Sequence, residues 1–292
     1  MSVEGPDSAP SEARDSLAPI QQEVHEQIIG SRRRWTFPNI ERHVAQREGC
    51  PRSLVRAAIR GLIEKGILEY NYTFGQSYLA LSFRNPVDVS PLFTIVPPDY
   101  AGNILTRRHG IAIAPGVSFG SGRHPTTRLA LQALEEGWFY LKTRGLPSIQ
   151  SAIDIGTGSG ILAIAASYLG AKAVMALDVD ACARSEARQN VNLNQETAAA
   201  VTVTDTPLDT IKKRFDIVIA NLRLPTLIHL STWIPTHLQR DGCVVVSGFR
   251  EEEWERLLAC YASHGFHSLG QRAQAGWSAA LFCRVNADYP RS

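Results

Sequence analysis

Apolar residues recur along the chain in two different rhythms, and the change between them divides it. From Leu17 to Arg84 the spacing is mostly helical. "QQEVHEQII" predicts a first helix, and "FPNIERHVAQREG" a second that opens near Pro38 and stops at Gly49. "PRSLVRAAIRGLIEKG" predicts a third, with Pro51 in its first turn and Gly66 at its end. In that third helix Leu54, Val55, Ala58, Ile59, Leu62 and Ile63 share one face by i, i+4 spacing. "ILEYNYTFGQSYLALSF" then alternates aromatic and aliphatic residues around Gly75, as two short strands and a turn do. Further on the rhythm changes. "SAIDI" (151–155), "AVMAL" (173–177), "AVTVT" (200–204), "FDIVIA" (215–220) and "GCVVVSG" (242–248) are short apolar runs. Helical stretches such as "ILAIAASYLG" and "ACARSEARQNVNLN" separate them; in the latter Ala183, Ala187 and Val191 line one face. Strands alternating with helices predict an α/β fold with a doubly wound, parallel, Rossmann-like sheet. The closing "GFHSLGQRAQAGWSAALFCRV" predicts an antiparallel strand pair.

These patterns divide the chain into a disordered tail (1–16), a first domain (17–84), a linker (85–109) and an α/β domain (110–292). The tail is assigned on its Ser, Pro and acidic content, the linker on its prolines. Three helices followed by a hairpin look like a winged helix. Composition narrows the function classes. The 292 residues are 44% hydrophobic and 20% charged, ordinary for a globular protein. No apolar run suits a membrane span, and the N-terminus does not read as a secretory signal. Cys50, Cys182, Cys243, Cys260 and Cys283 form no CxxC pair, which argues against a disulfide framework or metal site and for a cytoplasmic protein. A net charge of +2 does not suggest nucleic acid for the chain as a whole. Residues 17–84 nevertheless carry ten basic against six acidic residues.

The chemistry concentrates where the first α/β strand ends. "DIGTGSG" places Asp154, Gly156, Thr157, Gly158 and Gly160 between that strand and the next helix, where glycines let the backbone approach a ligand. The spacing is GxGxG rather than the dinucleotide GxGxxG. Asp154 would repel a pyrophosphate but attract an ammonium or sulfonium group. Asp178 ends the second strand, 24 residues beyond Asp154, near the offset at which an acid receives ribose hydroxyls. Together these residues point to S-adenosyl-L-methionine. Asp205, past the third strand, reads equally well as an acid facing the adenine edge or as an ordinary loop acid.

"FGSGRHPTTRLALQAL", taken with "DIGTGSGILAIAA", "ALDVD" and "FDIVIANL", resembles the PrmA family of class I methyltransferases over roughly residues 110–284. That family modifies amines of a large-subunit ribosomal protein. The resemblance implies that Phe119, Gly120, His124, Thr126 and Thr127 cap the cofactor pocket. It also implies that Asn221, at the end of the fourth strand, orients an acceptor amine of a protein and borders the cofactor. The first domain departs from the family's front domain. Arg52, Arg56 and Arg60 recur every fourth residue on its third helix, either as a DNA-contacting stripe or as a solvated face. Protein docking and homodimerisation are further uses. A small-molecule methyltransferase with a dimerising winged helix and a cofactor-sensing DNA-binding regulator are the alternative readings.

Overall fold

The computed structural model describes residues 11–31, 33–73, 75–100, 102, 108–145 and 149–284. They fall into two units, one ending at Asn85 and the other beginning at Pro86. In the first unit, helices α1 (Ser11–Gly30), α2 (Phe37–Glu48) and α3 (Arg52–Glu64) precede an antiparallel hairpin of β1 (Leu68–Thr73) and β2 (Gln76–Leu81). Val24, Trp35, Ile40, Val44, Val55, Ala58, Ile59, Leu62 and Leu68 form its core. Four of the six residues expected on the inner face of α3 are fully buried: Val55, Ala58, Ile59 and Leu62.

Two boundaries differ from expectation. Helix α1 opens at Ser11, inside the stretch read as disordered, because "SEARDSLA" supplies a Ser start followed by strong helix formers. Residues 1–10 of that tail lie outside the described residues. The proline-dense segment 85–109, expected to be a linker, contains β3 (Val87–Asp88) and β4 (Phe93–Val96). They pair with β5 (His109–Ala112) in a three-stranded sheet of the second unit. Phe93, Thr94, Ile95 and Val96 are all buried, so prolines there bracket a core strand rather than a tether.

The rest of the second unit is the doubly wound sheet. Its elements in order are α4 (Pro125–Thr143), β6 (Ser151–Ile155), α5 (Ile161–Tyr168), β7 (Ala173–Leu177), α6 (Ala181–Leu193), α7 (Gln195–Ala198) and β8 (Val201–Thr204). They continue with β9 (Phe215–Asn221), α8 (Leu224–His237), β10 (Leu238–Arg250), α9 (Trp254–Ser263), β11 (Phe266–Gln274) and β12 (Trp277–Arg284). The seven strands lie in the order β11-β12-β10-β9-β6-β7-β8. Strands β8, β7, β6, β9 and β10 are parallel, and β12 and β11 are antiparallel to their neighbours. The chain winds outward from β6 in one direction and from β9 in the other. Between them lies the point where such sheets open a crevice beyond their carboxyl ends. All five predicted parallel strands, the antiparallel pair and the buried Ala183, Ala187 and Val191 face of α6 occur as expected. No helix of the described residues is long and apolar enough to cross a membrane.

Candidate functional site

The crevice is floored by the glycine turn after β6. Gly158 has φ +54°, and its N–H donates to Asp178 Oδ2 at 2.9 Å. A Cβ on Gly158 would stand 2.3 Å from the Phe119 carbonyl oxygen, so only glycine fits beneath that loop. The FGSG segment is fastened to the turn from above. Ser159 N–H donates to the Phe119 carbonyl at 2.8 Å, and Ser159 Oγ to the Gly120 carbonyl at 2.9 Å. On the approach to the loop, Glu186 accepts the N–H groups of Val117 and Ser118 at 2.9 and 3.0 Å. Burial acts to raise the Glu186 carboxyl, but these bonds outweigh it and hold the group below its ordinary range.

Loop and helix meet at His124, the N-cap of α4, whose Nδ1 accepts from Thr126 N–H. Burial lowers this imidazole to about 4, helped by the guanidiniums of Arg128, Arg250 and Arg223. The ring is therefore neutral at physiological pH and free to act as an acceptor. Thr126 and Thr127 are both buried in the first turn of α4. Arg128 is buried as well; its Nη1 donates to the carbonyls of Gly122 and Arg123 at 3.3 and 3.1 Å. Burial pushes its guanidinium down to about 10. Nothing in the sequence pattern distinguished Arg128 from a surface arginine, and its role as the internal strut of the loop emerges only from the fold.

At the start of α4 and the carboxyl ends of β6 and β9, four side-chain atoms are buried without a hydrogen-bond partner: Thr127 Oγ1, Arg128 Nε, Asp154 Oδ1 and Asn221 Oδ1. Asp154 is fully buried, and its other oxygen accepts from Thr157 Oγ1 at 2.6 Å. Burial raises its carboxyl to about 7; the bonds from Thr157 and the Ala163 backbone oppose that rise, and the nearby Asp178 charge adds to it. An orphaned, desolvated carboxyl oxygen is a receptor for a cationic donor group. Asn221 closes β9 beside Ser247 of β10. There β10 bulges between Ser247 and Phe249 at Gly248, which has φ +93°. A Cβ on Gly248 would lie 2.5 Å from the Leu222 carbonyl oxygen, so the glycine makes room for the chain leaving Asn221.

The predicted residues do not all converge. Asp178 accepts two backbone N–H groups, from Gly158 at 2.9 Å and Asp180 at 3.0 Å, each on a different oxygen. It braces the glycine turn and keeps a free lone pair on each oxygen for hydroxyls. Asp205 is 67% exposed and turned toward Arg184, with Nη2 to Oδ2 at 3.1 Å. It forms a surface ion pair rather than part of the buried set. Phe119 is half exposed, with its ring centroid 5.1 Å from that of His124. Pattern reading also missed Trp277, whose ring meets His124 edge-on at 4.9 Å and lies under Arg250 at 3.6 Å. In the first unit the basic stripe is only partly available. Arg52 Nε lies 2.8 Å and Arg56 Nη2 3.1 Å from the buried carboxylate of Glu41, so two of its three members, each about half exposed, are paired with that acid.

A family model described as ribosomal protein L11 methyltransferase (PrmA) matches residues 80–284. The chain belongs to that family. It is 32% identical to the ribosomal protein L11 methyltransferase of Streptococcus uberis over 204 residues, covering 70% of this chain and 62% of that protein. It is 35% identical to the enzyme of that name from Geotalea uraniireducens over 210 residues, 68% of this chain and 64% of the other. The chain thus spans less than two thirds of the length of these relatives. The crystal structure of a ribosomal protein L11 methylase from Lactobacillus delbrueckii subsp. bulgaricus superposes with a TM-score of 0.60 at 29% identity. That chain is covered completely and this one over 69%. The match begins at residue 80, so β3 and β4 fall inside it and α1 to α3 outside.

Proposed function

We propose that the protein transfers a methyl group from S-adenosyl-L-methionine to an amine of a protein, with a ribosomal protein as the acceptor class suggested by the relatives' names. The observation that carries this reading is the convergence of Asp154 Oδ1, Thr127 Oγ1 and Asn221 Oδ1, buried and unpartnered, in one region at the carboxyl ends of β6 and β9 and the start of α4. The residues suit the donor. Asp154 would receive its ammonium group, and the backbone from Gly156 to Gly160 would pass close beneath its methionine part. Asp178 has the spare lone pairs a ribose needs, and Phe119, Gly120, His124, Thr126 and Thr127 would close the top. When bound, the donor supplies an electrophilic methyl on a sulfonium.

The protein's part is to position and desolvate. Asn221 Oδ1 accepts an N–H of the incoming amine and so fixes where its lone pair points. The amine must be neutral to attack, whereas a free lysine has a pKa of about 10.4. Burial and the positive charges of Arg128, Arg223 and Arg250 both disfavour its ammonium form. Asp205 takes no part in this scheme. We read the first unit as a winged-helix-like module that presents the substrate. Glu41 engages Arg52 and Arg56, so the arginine stripe gives DNA no particular support as the partner. The decisive test is titration with the donor followed by incubation of purified ribosomal protein L11 with labelled donor. Micromolar donor binding and label on a lysine or the N-terminal amine support the reading; a folded protein that binds no donor overturns it.

A further inference from the structure

Beyond the residues already given roles, one cluster stands at the edge of the site. Arg250 is in register with Trp277 across β10 and β12, and its guanidinium carbon lies 3.6 Å above the indole ring. Arg223, two residues after Asn221, brings a second guanidinium to 5.7 Å from the same ring. The indole meets His124 at 4.9 Å, and His124 meets Phe119 at 5.1 Å. The cluster is therefore continuous with both the capping loop and the end of β9. Neither Arg223 nor Arg250 makes an ion pair among the described residues. Glu253, three residues beyond Arg250, accepts that residue's backbone N–H at 2.6 Å. Arg128 adds a third positive charge, and its Nε has no partner.

Two guanidiniums that approach one indole and make no ion pair among the described residues keep N–H donors available to an anion. Guanidiniums are also the groups that bind carboxylates through paired N–H donors. Arg223 caps the start of α8, a helix of 14 residues, so its N-terminal dipole adds to the positive field. We propose that Arg223 and Arg250 form a carboxylate-binding subsite that selects an acceptor amine flanked by acidic residues. This rests on the methyltransferase reading, since it assigns Asn221 to the amine and places the anion beside it. The same subsite would draw the acceptor's acidic neighbours to the edge of the site. The alternative source of a carboxylate is the donor's own methionine end, which lies with the glycine turn in the scheme above.

The protein is titrated with a lysine peptide bearing glutamates on both sides of the lysine, and with its isosteric glutamine analogue. Both titrations are repeated on Arg223→Ala, Arg250→Ala and the charge-reversed Arg223→Glu/Arg250→Glu variant, with donor titrations run in parallel. The acidic peptide should bind about tenfold more tightly than the neutral one to the parent protein. Each alanine variant should reduce that preference to roughly threefold or less, and charge reversal should invert it. Donor affinity should stay within about twofold throughout. Equal binding of the two peptides, or binding of neither, overturns the subsite. A loss confined to the donor transfers the anion to the donor's carboxylate and also overturns it. If instead the parent protein binds no donor, the methyltransferase reading fails, and the peptide titrations still decide whether the anion subsite exists.

Discussion

Glu41 and Asp154 are both carboxylates shut away from solvent, one in each unit, and the fold treats them in opposite ways. Glu41 is 3% exposed and is met by Arg52 and Arg56. The hydrogen bond from Arg56, joined by that from Arg52 and by both charges, overcomes burial and holds its carboxyl below the ordinary range. Asp154 is equally buried, is met by the Thr157 hydroxyl and the Ala163 backbone but by no cation among the described residues, and is raised to about 7. Among the described residues the first unit has no buried side-chain oxygen or nitrogen without a partner, whereas the second gathers several where β6, β9 and α4 meet. A buried charge completed from within stabilises a fold. One left incomplete beside glycines that admit a ligand is poised to bind.

The contrast breaks most sharply at Gly158. In Gly158→Ala the new methyl meets the Phe119 carbonyl at 2.3 Å on a backbone at φ +54°, so the loop must lift from the turn. Donor affinity should fall by at least about 100-fold, equivalent to roughly 2.7 kcal/mol, while the far-ultraviolet spectrum stays folded. Unchanged affinity in calorimetry would mean that the loop does not form part of the donor pocket. Next in size is Asn221→Ala, which removes the acceptor contact and leaves the glycine turn intact. Turnover should drop by about 100-fold with donor affinity within twofold. Parallel losses in both would show that Asn221 supports the donor rather than the amine.

A third test uses the raised carboxyl itself. Only the ionised form of Asp154 attracts an ammonium group, and the free protein holds the carboxyl protonated below about 7. Donor affinity should therefore weaken by about tenfold from pH 8 to pH 6, with a proton released on binding in the acidic range. The sign for stability is the reverse. A raised acid favours the folded state most below its ordinary value of 3.8, and that advantage is lost as pH rises toward 7. In Asp154→Asn the pH dependence of binding should flatten; a slope that persists belongs to another group.

Much of the site could be read before folding because its residues are close in sequence. The turn from Asp154 to Gly160 and the loop from Phe119 to Thr127 are each one continuous segment whose composition no ordinary strand or helix would use. Asn221, at the end of an apolar run, is singled out only through the family resemblance. What escaped depends on register across long separations. Trp277 faces Arg250 only because β12 returns between β10 and β11, and Arg223 reaches the same ring from the segment that follows β9. Arg128 carries no mark of burial in a helix that is otherwise amphipathic. Segment 85–109 misled for a local reason: prolines bracket "FTIV", and pattern reading weighs the prolines more heavily than four residues can answer. Asp205 left two readings open for an electrostatic reason, since an acid at a strand end serves an arginine on the neighbouring helix as readily as a ligand.

The smallest expected effect lies in the first unit and tests the other side of the contrast. Because Glu41 is held below its ordinary value of 4.5, the stability it contributes is present above that value and lost as pH falls through the lowered one. The two arginines are each about half exposed, so solvent screens the pair, and Glu41→Gln should cost about 1 kcal/mol at pH 7. The difference between variant and parent should shrink as pH falls through that lowered value, where the parent carboxyl itself takes up a proton. Donor binding should not move at all. If Glu41→Gln instead weakened the donor as much as a change in the glycine turn does, Glu41 would belong to the functional site, and completeness of partners would no longer separate a structural charge from a binding one.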